Sequence, residues 1–204
     1  MKKKLDVLII IIFIIIGICL FGFTIYTGYN SILKPKTATK QLRSLELYGY
    51  TLKESDGKLF SSTFKELEKT LNEDSINYNK YAELLSKLFV IDVFTLNNKL
   101  TGTDIGGLEY LHKDLKENFK ENMGATLYKN VENNLDGKRT QKLPEVKEVN
   151  VTNIEEVKVT YKSEEYDAYK VLLNWEYVED LKYEKSITLT MIKDNGKLYI
   201  IKGE

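Results

Sequence analysis

The apolar positions of this chain follow three different rhythms. From Val7 to Tyr26 the sequence reads VLIIIIFIIIGICLFGFTIY, apolar without any period, and no charged residue occurs from Val7 to Leu33. A helix rising about 1.5 Å per residue carries those residues across roughly 30 Å, the thickness of a bilayer core. It also satisfies every backbone group within one segment. Farther on the rhythm becomes helical. Phe60, Phe64, Leu67 and Leu71 recur at i, i+4, i+7 and i+11, which predicts a helix over 57–73 with Asp56 as its N-cap. A second helix is predicted over 79–97. Tyr81, Leu84, Leu85, Leu88, Asp92 and Leu96 share one face, and Phe89–Phe94 is apolar nearly all round apart from Asp92, as in a helix central to a core. Leu108, Leu111, Leu115, Phe119, Met123, Leu127 and Val131 continue at helical spacing. They predict a third helix from a cap at Thr103 or Asp104 to about residue 133.

After Pro144 the period falls to two. Val149 and Val151, then Val157, Val159 and Tyr161, then Tyr169, Val171, Leu173, Trp175 and Tyr177 alternate with polar residues. Ile187, Leu189 and Met191 form the next strand, and Leu198 and Ile200 the last. Asp194-Asn195-Gly196 joins these two strands as a tight hairpin. Strands so closely spaced are antiparallel, because parallel crossovers need a dozen residues or more. The predicted fold class is α+β: an N-terminal transmembrane helix, then about three helices packed on a four- to five-stranded antiparallel meander.

The flanks of the apolar segment divide the chain. Lys2, Lys3 and Lys4 precede it directly, whereas Lys34, the first basic residue beyond it, comes eight residues after Tyr26. This asymmetry places the N-terminus in the cytoplasm. Residues 1–6 then read as a cytoplasmic tail, 7–26 as a transmembrane signal anchor, 27–46 as a basic tether containing Pro35, and 47–204 as an extracytoplasmic domain. Leu45, Leu47, Tyr48, Tyr50 and Leu52 suit a short strand or an arm laid on that domain. A cleavable signal would have a shorter apolar region and an Ala-x-Ala-like end. Lipidation of Cys19 would require a small residue before it, where Ile18 stands.

Charge and composition narrow the functions. Thirty basic and thirty acidic residues leave no net charge, which argues against a nucleic-acid partner. One cysteine and one histidine exclude an internal disulfide, multi-cysteine metal sites and paired-histidine chemistry. No cofactor, metal site or catalytic set is predicted, and the chain reads as a non-enzyme.

The order of elements resembles the cystatin-like roll of the nuclear transport factor 2-like superfamily. Within it, the bitopic assembly subunit of type IV secretion and conjugation machines shares the layout of one membrane helix, then helices, then a meander. The stretches KLFVIDVFTLNNKL (87–100) and TDIGG (103–107) also resemble single-pass membrane proteins of low-GC Gram-positive bacteria. The anchor, the tether and the absence of a catalytic set point to a membrane-anchored interaction domain, with the bilayer as partner through residues 7–26 and envelope proteins as the others; the resemblance adds a cell-envelope or secretion assembly as its setting. Neither resemblance carries a catalytic residue.

Individual residues each admit two readings. Asp92, inside an apolar helix, is either a pocket acid or a carboxylate held by structural donors. Tyr161, Tyr169, Trp175 and Tyr177 stack on one sheet face, where they either line a cavity between sheet and helices or form ordinary core. A cavity would make the domain a small-molecule or peptide sensor. His112 falls toward the polar side of the third helix, as a solvated histidine. Asp104-Ile105-Gly106-Gly107 resembles an anion-binding glycine loop but lacks phosphate-loop spacing, so capping and close packing account for it better.

The predicted orientation is testable. With Cys19 inside the apolar segment, a Ser163→Cys variant should react with a membrane-impermeant maleimide in intact spheroplasts. Labelling that appears only after lysis would place the domain in the cytoplasm.

Overall fold

The computed structural model describes residues 40–204. The tail 1–6, the apolar segment 7–26 and the tether to residue 39 lie outside the described residues. Among those described, no helix is long and apolar enough to cross a membrane. The elements are β1 (Gln41–Leu45), β2 (Tyr50–Lys53), α1 (Lys58–Leu71), α2 (Tyr78–Phe94), α3 (Lys116–Ala125), β3 (Val146–Tyr161), β4 (Glu164–Tyr177), β5 (Ser186–Asp194) and β6 (Lys197–Gly203). The chain is α+β, with three helices against a four-stranded antiparallel sheet of order β3-β4-β5-β6 and a separate β1-β2 hairpin.

The folded unit starts earlier than the sequence pattern indicates. Residues 41–45, read as the end of the tether, form β1 and pair antiparallel with β2. Arg43 is ion-paired to Glu68 of α1. Tyr50 and Leu52 of β2 are buried in the main core.

α1 and α2 follow their apolar spacing. Phe60, Phe64, Leu67 and Leu71 are buried along α1, but Asp56 does not cap it. The N-cap is Gly57, without a side-chain bond, because the Asp56 carboxylate accepts from Lys53 N at 2.7 Å and closes the preceding turn. α2 begins at Asn77, whose side chain accepts from Lys80 N. It is buried on almost every side from Tyr81 to Val93. Ser86 is tolerated there because its hydroxyl donates to Ala82 O at 2.7 Å within the helix.

The third predicted helix is not continuous. Leu108–Tyr110 and Lys113–Leu115 are separate 3₁₀ turns, and only Lys116–Ala125 is α-helical. Gly107 has φ +80°, a Cβ there would meet Val93 at 2.5 Å, and Leu111 is extended and forms a parallel bridge to Ile200 of β6. The loop thus lies flat on α2 and then joins the sheet edge. Tyr110 and Leu111 are both buried.

The sheet carries its apolar side chains on two different faces. Val149 faces Trp175 and Val151 faces Leu173 across β3-β4, but the next pair is Asn153 with Leu172. Thr152 is therefore an extra residue, a β-bulge that inverts the strand beyond it. Ile154 then pairs with Val171 on the helix-covered face, while Val157, Val159 and Tyr161 share the opposite face with Ala168 and Tyr166. Ile192 and Tyr199 continue that row across β5 and β6. Ala168 and Ile192 are buried there, outside the main core. At the end of the row the His112 ring lies 5.2 Å from Tyr161 and 5.6 Å from Tyr199, edge-on to both. His112 is thus no solvated helix residue. Its N–H donates to Ile200 O at 3.0 Å, and its neighbour Asp114 pairs with Lys162 in the β3-β4 turn. The segment 111–114 bridges the two edge strands.

If the bulge sets this crossing of faces, deleting Thr152 should turn Val157, Val159 and Tyr161 toward the helix side. A loss of more than about 3 kcal/mol is expected in urea unfolding. Thr152→Ala, which loses only the hydroxyl bond to Leu172 O, should cost about 1 kcal/mol or less. Equal losses for the two variants would mean that the register does not depend on the extra residue.

Candidate functional site

Two concavities flank α2. The first is a half-open cleft of about 290 Å³. Phe89, Val93 and Phe94 of α2 form one wall, Leu115, Phe119 and Met123 come from the turn and helix opposite, and Ile187, Leu189 and Ile200 come from the sheet. Asn118 and Asn122 also line it from α3, their side chains joined by a bond of 2.8 Å. β6 shapes the remaining side through a second bulge. Met191 pairs with Ile200 but Thr190 pairs with Lys202, so Ile201 is the extra residue. Gly203 then pairs with Leu189, on the core face. A Cβ at Gly203 would stand 3.1 Å from Ile187 Cδ1, so the missing side chain helps keep the cleft open.

The second concavity, of about 330 Å³, contains Asp92 together with Gly57, Thr95, Asn98, Val146 and residues beside them. Asp92 Oδ1 takes Lys99 Nζ at 2.7 Å, and Oδ2 takes Gly107 N at 2.6 Å. The two side chains are 14% and 6% exposed. Gly106 must be glycine, because a Cβ there would lie 2.2 Å from the Asp92 carbonyl oxygen. Tyr128 stitches the same contact, accepting from Gly106 N at 3.1 Å and donating to Val93 O at 2.7 Å. Arg139 donates to the carbonyls of Asn97 at 2.6 Å and Lys99 at 2.8 Å. Asp104 closes the loop by accepting from Leu100 N at 3.1 Å. The glycine loop therefore serves close packing around Asp92.

Burial pushes the Asp92 carboxyl up, but the Lys99 charge and hydrogen bond and the Gly107 N–H outweigh it and hold the carboxyl below its ordinary value. Glu109 and Asp56 shift the other way. Burial is the main cause for both, and the Asp92 charge adds to it. Glu109 is itself engaged, accepting from Thr51 N at 3.2 Å and Thr51 Oγ1 at 2.9 Å. These carboxylates have local structural donors. Among the described residues no group of three or more His, Cys, Asp or Glu side chains is placed to hold a metal ion.

The five residues read as pocket candidates occupy four places. Asp92 lines the second concavity. Trp175 packs on Phe94 at 4.6 Å between ring centroids, backing a wall of the cleft, with Tyr177 edge-on to it at 6.5 Å. The Tyr177 hydroxyl donates to Glu184 O at 2.8 Å. Tyr169 stacks on Tyr78 at the far end of α2. Tyr161, beyond the Thr152 bulge, is on the other face of the sheet. The cleft is instead made by Phe119 and Met123, which the sequence pattern assigns to a longer helix, and by Gly203. The legible signal was the pairing of Asn118-Phe119 with Asn122-Met123 at i and i+4, two amides beside two apolar groups on one side of a helix.

Comparison of the chain with protein-family models, curated proteins and solved structures returned no match.

The Asp92–Lys99 pair gives a stability prediction. Lys99→Met leaves a largely buried charge without its counterion and should cost about 3–5 kcal/mol. Asp92→Asn should cost about 1–3 kcal/mol, and Asp92→Leu at least as much, since it also crowds the Gly106–Gly107 contact. The folded-state pKa is depressed, so the carboxylate's contribution is complete above the unfolded value of about 3.9 and is lost as pH falls through the folded value. The gap between wild type and Asp92→Asn in urea unfolding should therefore be constant from neutral pH down to about 5 and narrow below about 4. A rise in melting temperature for either Asp92 variant would make the residue a functional acid held at a cost in stability.

Proposed function

We propose that this protein is a membrane-anchored, extracytoplasmic interaction domain, a non-enzymatic component of a cell-envelope or secretion assembly. The anchor is the apolar segment 7–26, and the domain that follows is a helix-covered antiparallel meander of the cystatin-like roll type. The observation that carries the reading is the cleft between α2, α3 and the β5-β6 edge. Its walls are aromatic and aliphatic, with amides and Lys202 among the lining residues. Apolar surface of this kind, bordered by polar groups, marks a site for another molecule.

The cleft is half open, and its volume of about 290 Å³ is at the low end of the range for drug-sized ligands. These two features favour a protein partner over an enclosed small molecule. α3 suits this role because none of its residues is buried, while Phe119 and Met123 pack only partly against the core. Its apolar side is available at little cost to the fold.

The test uses the full-length protein in its own membranes, with p-benzoylphenylalanine replacing Asn122. Irradiation should yield one discrete adduct with an envelope protein. Met123→Glu in the same background should abolish it while the protein still unfolds in one cooperative transition, the loss of partial packing of Met123 against the core lowering the melting temperature by a few degrees at most. Retention of a small apolar compound in native mass spectrometry, without any protein adduct, would instead establish a ligand sensor.

A further inference from the structure

We infer that the cleft receives an extended polypeptide, which adds as a strand to the free edge of β6 and sets apolar side chains between α2, α3 and the sheet. This deepens the interaction reading above and rests on it.

The backbone of β6 supplies the first observation. Thr188 and Glu204 exchange both of their main-chain bonds, at 2.7 and 3.0 Å. In an antiparallel ladder the neighbouring pair is then the non-bonded kind, and that pair is Leu189 with Gly203. The N–H and C=O of Gly203 accordingly point away from β5, along the side that borders the cleft. The edge already accepts a single extended residue just upstream. Leu111 forms a parallel bridge to Ile200, and His112 N donates to Ile200 O at 3.0 Å. The 3₁₀ turn at Lys113–Leu115 then carries the chain off into α3. Among the described residues no strand pairs with β6 beyond that point, and Lys202 and Gly203 are exposed.

The chemistry of the lining selects the occupant. A helix satisfies its own backbone and would leave the Gly203 groups unpaired. An acyl chain or other apolar small molecule offers them nothing. An extended peptide presents an N–H and a C=O to the β6 edge at every second residue and turns alternate side chains to one face, here toward Phe89, Val93 and Leu189. The amides of Asn118 and Asn122 add donors and acceptors of the kind that pair with peptide groups. Absence of a side chain at Gly203 allows a second backbone to approach closely.

The full chain, held in nanodiscs, is panned against a random heptapeptide display library, and one retained peptide is resynthesised with alternate amides N-methylated. Retained peptides should carry apolar residues at alternating positions, and N-methylation in one of the two phases should weaken binding about tenfold or more, as for the loss of a backbone hydrogen bond. Gly203→Pro removes an outward N–H on an edge strand and, like Gly203→Ala, adds a Cβ close to Ile187; it should weaken the unmodified peptide to a similar degree. Gly203→Ala, which keeps that N–H, should bind more tightly than Gly203→Pro. Melting temperatures of both variants are measured to confirm folding. Failure to retain any peptide, or binding that is indifferent to N-methylation in either phase and to Gly203→Pro, would overturn strand addition. The Asn122 adduct judges the interaction reading separately, since it would form with a partner of any backbone shape.

Discussion

The constraint on which this fold depends is the need to cover α2. Ordinary surface helices bury one stripe, but α2 is buried from Tyr81 to Val93 on nearly every side. One layer of structure cannot enclose it. The sheet takes one side, with Tyr169 stacked against Tyr78 and Trp175 against Phe94. α1 takes another through Phe60, Phe64 and Leu67, and β2 contributes Tyr50, whose hydroxyl bonds that of Tyr81 at 2.7 Å. The side facing Asp92 and Val93 is too close to neighbouring chain for another helix. It is covered by bare backbone, Gly106-Gly107, at a distance only glycine permits.

That backbone contact explains why a carboxylate sits inside an apolar helix. A chain laid against α2 brings an N–H that must be satisfied away from water. Asp92 accepts it, and Lys99 neutralises the charge so created. The pair is not expected to exceed in stability what a well-packed apolar replacement would give. Its role is positional, because it fixes where the loop after α2 meets the helix and hence where Tyr110, Leu111 and α3 begin. The cleft inherits this. Its α3 wall is placed by a loop whose own position is set by Asp92, Tyr128 and Arg139.

The sequence was most legible where one element buries one face. α1 and α2 were readable from apolar spacing, and the Asn195-Gly196 hairpin was readable because both residues adopt positive φ. It was least legible where a single residue changes the geometry. Leu108, Leu111, Leu115, Phe119 and Met123 keep helical spacing, yet Leu111 serves a sheet edge and Leu115 ends a 3₁₀ turn. Periodicity records that apolar groups point to a common interior, not that one helix carries them. The Tyr161 reading failed in a similar way. Val149, Val151, Val157, Val159 and Tyr161 all occupy odd positions, so alternation put them on one face. The residue that betrays the bulge is Ile154, an apolar side chain at an even position between the two runs, which pairs with Val171 in the core.

The bulges at Thr152 and Ile201 therefore have related consequences at opposite edges of the sheet. In β3 the extra Thr152 moves the apolar row to the face the helices do not cover, where the segment 111–114 and Tyr199 meet it. In β6 the extra Ile201 brings Gly203 onto the face the helices do cover, at a position where a side chain would otherwise extend the core. The β3 edge is thus tied down through the His112 ring on Tyr161 and the Asp114–Lys162 pair, while the outer side of β6 is bridged no farther than Ile200. Exposed edges with hydrogen-bonding groups and adjacent apolar surface are a liability that folded proteins usually cover or charge. Here Lys202 is the charge, and it is turned toward Glu204 at 2.8 Å, leaving Gly203 accessible beside the cleft. An edge protected along the rest of its length and open only next to an apolar cleft has the form of a docking strand, and the placement of Gly203 depends on the same register that completes the core around Leu189.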